Sequence, residues 1–127
     1  MLALVARAGP RYSPPVNVNL RDPTWIAERA VVFVHPDGRR CGGRIAIGLP
    51  YMVSVEQARC PLILEGLETF PPQIAGSSTL QAILLATRLA ARRLHDFRAR
   101  GGRIEYPGEE GGGEVELDAL FGAPFVE

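Results

Sequence analysis

The sequence predicts an α+β domain: an antiparallel sheet of four to five strands, with one long amphipathic helix packed across one face. Three observations carry that prediction. Residues 30–67 alternate β-branched and aromatic runs with turn signals. Residues 76–102 form one uninterrupted stretch with apolar positions at helical spacing, bounded by hydroxyl residues and glycine. A length of 127 residues supports one hydrophobic core but not two.

Residues 1–25 read as an extended proline-rich arm. Pro10, Pro14, Pro15 and Pro23 lack the backbone donors that a sheet ladder needs. Trp25 is expected to anchor that arm on the body, and residues 26–127 form the single domain. Ala30 to His35 reads as the first strand, followed by a Pro36-Asp37-Gly38 turn. Arg40 to Leu49 is the second strand, in which Ile45, Ile47 and Leu49 alternate with Arg44, Ala46 and Gly48 to give one buried face. Gly42-Gly43 marks a bulge or a close approach by another backbone. Tyr51 to Ala58 fits either an extension of that strand or a wide connection. Cys60 to Leu67 is a third strand, and Phe70-Pro71-Pro72 then ends regular structure.

In the helix, Ser77 or Ser78 supplies the N-cap hydroxyl and Gly101 the left-handed terminator. Leu80, Ile83, Leu84, Thr87, Ala90, Ala91, Leu94 and Phe97 form the expected buried stripe. The expected core is Val32, Val34, Ile45, Ile47, Leu62, Leu64, Leu80, Ile83, Leu84, Leu94 and Phe97. A short strand at Arg103 to Tyr106 follows, then a flexible acidic loop over 107–113. Residues 114–120 fit either an edge strand or a helical turn.

The charge is unusual in kind. All 14 basic residues are arginine, 14 acids balance them, and no lysine is present. An arginine-only repertoire beside many Ala, Gly and Pro reflects GC-rich coding DNA, and a net charge of zero lacks the broad positive field that phosphate backbones require. Nucleic acid is therefore not an expected partner. Residues 1–8 are too short for a signal-peptide core, and no window approaches the roughly 20 apolar residues of a membrane span. Cys41 and Cys60 have no CxxC pairing and read as small apolar residues in a reducing compartment. These features point to the cytoplasm and away from membranes.

No catalytic or metal-ligating set emerges. His35 and His95 are the only histidines, and neither has a second ligand at usable spacing. Ser77, Ser78 and Thr79 lack a nucleophile elbow and fit helix capping. Gly111-Gly112-Gly113 lacks the Lys-Ser/Thr of a phosphate loop. Glu109-Glu110 is a solvated run without the apolar setting that retunes a catalytic carboxylate. The expectation is no metal, no cofactor and no enzyme.

Two patterns remain for binding. Stepping about 100° per residue from Leu80 puts Leu85 near 140° and Leu89 near 180°, opposite the expected stripe and available to a partner or a second copy. Charge is also segregated: Arg88, Arg92, Arg93, Arg98, Arg100 and Arg103 precede Glu105, Glu109, Glu110, Glu114, Glu116 and Asp118. Either the acids fold back on the basic helix, or Glu109, Glu110, Glu114, Glu116 and Asp118 steer an oppositely charged partner.

The succession IAERAVVFV, DGRR, RIAIGLP, RCPLILEGL and AGSSTLQAILLATRLAARRL resembles a family of small uncharacterised bacterial α+β domains over roughly residues 26–104. Its most specific pieces are Cys60 to Leu67 and Gly76 to Leu84. Leu62 stands where an aromatic is common, and Ser77-Ser78-Thr79 lacks the usual acid at the helix start. The resemblance implies the architecture and a bacterial origin, and it transfers no activity or site.

The leading functional expectation is a non-enzymatic protein-binding module, with an immunity protein that neutralises a bacterial toxin as its sharpest form. The alternative is a small-molecule binding domain with a pocket between sheet and helix. There Trp25, Tyr51 and Phe70 would line the pocket, and Arg88 or Arg92 would hold an anionic or aromatic ligand.

Overall fold

The computed structural model describes residues 23–68, 73–108 and 113–122. The arm through residue 22, Phe70, and residues 109–112 of the acidic loop lie outside the described residues. The elements are β1 (Trp25–Val34), β2 (Arg40–Gly48), β3 (Tyr51–Ser54), β4 (Gln57–Glu65), β5 (Gln73–Gly76), α1 (Thr79–Ala99), β6 (Arg103–Glu105) and α2 (Leu117–Phe121). Among the described residues, six antiparallel strands and one long helix give the α+β architecture expected, with short β3 and β5 raising the strand number above the anticipated four or five.

Local chemistry explains most boundaries. Asp37 Oδ1 accepts from the Arg39 amide at 2.9 Å, which stabilises the turn between β1 and β2. β4 pairs β2 through Ile45↔Leu64 and Ile47↔Leu62, then pairs β3 through Tyr51↔Arg59 and Met52↔Ala58. β2 and β3 therefore follow one another along β4 and are separated at Leu49-Pro50, where proline cannot donate to the ladder. The open question over residues 51–58 resolves into a strand, a tight turn and the start of β4. At Gly43 the close approach is real: a Cβ there would fall 1.7 Å from the Glu65 carbonyl oxygen. Trp25 belongs to β1, opposite Gly48, so the sheet takes in the residue assigned to the end of the arm.

α1 lies against β4 and β5, touches β2 and β6, and meets α2. Val31, Phe33, Ile45, Ala58, Cys60, Leu62, Leu64 and Ile104 meet Ala82, Ala86, Ala90, Leu94 and Phe97 in one core that also takes in Val115 and Leu117. Each large side chain removed from water there contributes about 1.5–3 kcal/mol. In β1 the helix-side positions are Val31 and Phe33, so Val32, expected in the core, is half-buried outside that cluster, while Val34 is buried outside it. Both cysteines are free, and burial pushes the Cys60 thiol up to about 11. Among the described residues, no helix is long and apolar enough to cross a membrane.

The segment after β6 combines both readings of residues 114–120. Glu114 bridges Glu105, and the Val115 amide donates to the Ile104 carbonyl at 2.8 Å. The chain then turns into α2, with Leu117 buried and Phe121 packed on the core.

Candidate functional site: the outer side of α1 and the α2 wall

α1 is fixed at both ends by the residues the sequence singled out. The Gln81 amide donates to Ser78 Oγ at 3.0 Å, and Gln81 Oε1 accepts from the Ser77 amide at 2.6 Å and from Ser77 Oγ at 3.0 Å. This reciprocal pattern satisfies donors at the helix start, as a capping box does. Gly101, with φ of 101°, ends the helix, and the Gly102 amide donates to the Phe97 carbonyl at 3.0 Å.

Between these caps, the buried stripe is rotated away from the expected one. The fully buried positions before the last turns are alanines, Ala82, Ala86 and Ala90, followed by Leu94 and Phe97. Leu80 and Leu84, expected in the core, are 66% and 54% exposed. Leu89, expected to be spare, packs against the core, and Leu85 is half-buried. The physical reason is closeness: an alanine row without bulky side chains lets α1 settle onto β4 and β5, and flanking residues then close the two sides. Leu80 and Leu84 lie beyond the flank on the side facing α2.

α2 builds a wall along that side. Thr87, Arg88, Ala91 and His95 of α1 face Asp118, Phe121 and Gly122 across an open cleft of about 450 Å³. Thr87 Oγ1 donates to the Leu84 carbonyl at 2.8 Å, so its methyl and Ala91 continue the apolar row started by Leu80 and Leu84. Arg88 makes no ion pair among the described residues, whereas His95 Nε2 lies 3.8 Å from Asp118 Oδ1. The signal for this wall was present in Leu117, Leu120 and Phe121 at helical spacing, but five helical residues are too few to stand out from an edge strand.

The charged residues divide between pairing and exposure. Arg98 Nε lies 3.9 Å from Glu114 Oε2, so with His95–Asp118 the acidic segment folds back along α1. Glu114 and Asp118 are thereby engaged within the chain, while Glu116 makes no ion pair among the described residues. Glu109 and Glu110 lie outside them. Glu105 is only 4% exposed. Arg103 Nη2 donates to its Oε2 at 2.7 Å, and Arg40 Nη1 lies 3.0 Å from its Oε1. Arg103, with help from Arg40, holds the Glu105 carboxyl below the usual glutamate range despite its burial.

Of the residues proposed for a sheet–helix pocket, the described ones, Trp25, Tyr51, Arg88 and Arg92, are not gathered in one place. Trp25 sits under the Arg44 guanidinium at 5.3 Å, and Arg44 bonds Glu28 at 2.9 Å and Glu65 at 3.2 Å. Tyr51 is buried, donates its hydroxyl to Gln73 Oε1 at 3.0 Å, and has its pKa raised by burial. Neither lines the cleft that holds Arg88, and Arg92 is exposed. Among the described residues, no cluster of three or more His, Cys, Asp or Glu is arranged to hold a metal ion.

No family model, curated protein or solved structure matches this chain. The candidate site therefore rests on its own geometry: an exposed leucine pair, a neutral apolar row continuing from it, and a cleft with one cation and one aromatic wall.

Proposed function

We propose that this chain is a non-enzymatic protein-binding module that seats its partner on the outer side of α1. The observation that carries the reading is the Leu80–Leu84 pair, exposed one turn apart on a helix of 21 residues capped at both ends. Leucines at that spacing on a stiff element present a fixed apolar ridge, the arrangement by which helices engage grooves and other helices. Arg88 adds a cation at the rim, where charge favours orientation and encounter. The setting we propose is cytoplasmic, which the two free cysteines support.

The toxin-neutralising form of this reading loses part of its motivation. It relied on acids steering a basic partner, and Glu114 and Asp118 lie beside Arg98 and His95 of their own chain. A small-molecule reading is favoured by a different observation, the α1–α2 cleft, in which Arg88 and His95 would meet an organic anion and Phe121 its apolar part.

Chemical cross-linking in native lysate, and light scattering on the purified chain, test the main reading. Leu80→Glu with Leu84→Glu should abolish cross-links to a partner or a second copy while leaving thermal stability nearly unchanged. Identical cross-links from wild type and variant would sink it. Arg88→Glu distinguishes the readings, because it removes an anion site and leaves the leucine ridge in place.

A further inference from the structure

We propose that the outer side of α1 is a two-fold interface, in which the Leu80–Leu84 ridge of one chain enters the α1–α2 cleft of a second copy and receives that copy's ridge in return. This names the occupant of the surface proposed above and rests on that reading. The spacing of large and small residues carries it. With Leu80 at 0° and about 100° per residue, Leu84 falls near 40°, Thr87 near 340° and Ala91 near 20°, so the four form one narrow stripe. Leu80 and Leu84 stand exposed in it, whereas Thr87 and Ala91 are half-buried and floor the cleft. The stripe has a ridge in its first half and a hollow in its second.

When a helix packs antiparallel on its own copy, residues equally far from the two-fold axis on opposite sides face one another. Leu80 and Ala91 are equally far from the point midway between Leu85 and Ala86, and so are Leu84 and Thr87. An axis at that point sets Leu80 on Ala91 of the second copy and Leu84 on its Thr87, at about 8 Å and about 2 Å along the helix from the axis. One placement thus seats both large residues on both small ones, in both directions, as knobs fill holes between packed helices. Phe121, which shares the cleft with Thr87 and Ala91, gives the entering leucine an apolar wall. Charge agrees with this register. The first turn of α1 contains no acid, although a helix N-terminus favours one. Ser78 of the second copy comes within about 3 Å, along the axis, of the level of His95. Asp118 stands at that level, 3.8 Å from His95 Nε2, so each chain supplies the acid that the other's helix start lacks. Arg88 stays exposed on the flank of the stripe, where salt water screens it from its copy.

Sedimentation equilibrium of the purified full chain should show a reversible dimer. Ala91→Leu fills the hollow and should abolish it. The exchanged pair, Leu80→Ala with Ala91→Leu, should restore it, because large again faces small across the axis; an exchanged pair that stays monomeric overturns the proposal. Cysteine pairing reads the register independently of packing. In a Cys41→Ser background, a mixture of Leu80→Cys chains and Ala91→Cys chains should oxidise to the mixed disulfide, which needs Cα atoms within about 7 Å. Either variant alone should stay unlinked, since the two copies of each position lie about 16.5 Å apart along the helix in this register. Cross-linking that is as strong in the single-variant controls overturns the proposal, as does a wild-type chain that is monomeric at every accessible concentration. These failures are distinct from failure of the binding reading. A monomeric chain whose lysate cross-links still vanish with Leu80→Glu and Leu84→Glu keeps the ridge as a site for another protein and removes only the second copy. A dimer that survives both glutamates removes the ridge itself.

Discussion

The two long sides of α1 differ in a way that runs against side-chain size. Ala82, Ala86 and Ala90 are fully buried on the sheet side, while Leu80 and Leu84 stand exposed on the other. Burial there follows how closely the backbone can approach β4 and β5, and a methyl side chain permits the closest approach. The leucines gain little by turning inward, because that would lift the whole helix away from Leu62, Leu64 and Phe33. What the comparison teaches is that small residues can define a core face as strictly as large ones, and that large ones left over are the informative residues.

The comparison breaks most sharply at Ala86. Ala86→Leu adds volume at a fully buried position and should cost about 1–3 kcal/mol by overpacking, whereas Leu84→Ser on the opposite side should stay within about 0.5 kcal/mol. Urea unfolding of the two variants measures both, and comparable losses would show that the helix phase described here is wrong.

Acid titration of stability sharpens a second contrast, between the buried Glu105 and the exposed acids beyond it. Arg103 and Arg40 hold the Glu105 pKa below its ordinary value, so its contribution is present above the unfolded glutamate pKa of about 4.3 and fades as pH falls through the folded value. Glu105→Gln should lower the melting temperature at neutral pH, and the gap from wild type should close on acidification below that range. A gap independent of pH would mean that shape, not charge, is what the site requires.

The smallest effect is expected where charge lies at the surface. Glu114→Lys and Asp118→Lys reverse acids that face Arg98 and His95 in water, and each should cost about 0–1 kcal/mol, less at high salt. Thermal melts at two ionic strengths check this, and a salt-independent loss would indicate that α2 docking depends on these acids for more than electrostatics.

How far the sequence was legible follows from the same physics. β1, β2, β4 and the caps of α1 were readable because β-branched runs, Pro36-Asp37-Gly38, Ser78 and Gly101 each have a local cause for their conformation. β5 was not anticipated: four residues just after two prolines carry no periodicity, and only pairing with β4 makes them a strand. The phase of α1 was misjudged because Leu80, Leu84, Leu85 and Leu89 spread apolar character over both flanks, and the alanines between them carry weight only once the sheet is in place. Trp25, Tyr51 and Arg88 were grouped by chemistry, and no sequence signal says that the first two are claimed by Arg44 and Gln73.

The partnership of β1 has a further consequence, for the order in which the molecule assembles. On one side β1 pairs β2, its neighbour across a tight turn; on the other it pairs β6, with Phe33 opposite Ile104 near the far end of the described chain. The first pairing closes a short loop, but the second must wait until the intervening chain has been gathered in, with a larger entropy cost before any contact forms. Zipping of β1 with β2, and of β2 with β4, is therefore expected early in folding, and the seam between β1 and β6 late. Since α2 follows β6 directly, the wall that α2 adds to the cleft is expected to form late in folding and to loosen early when that seam opens, whereas the Leu80–Leu84 ridge belongs to α1 itself.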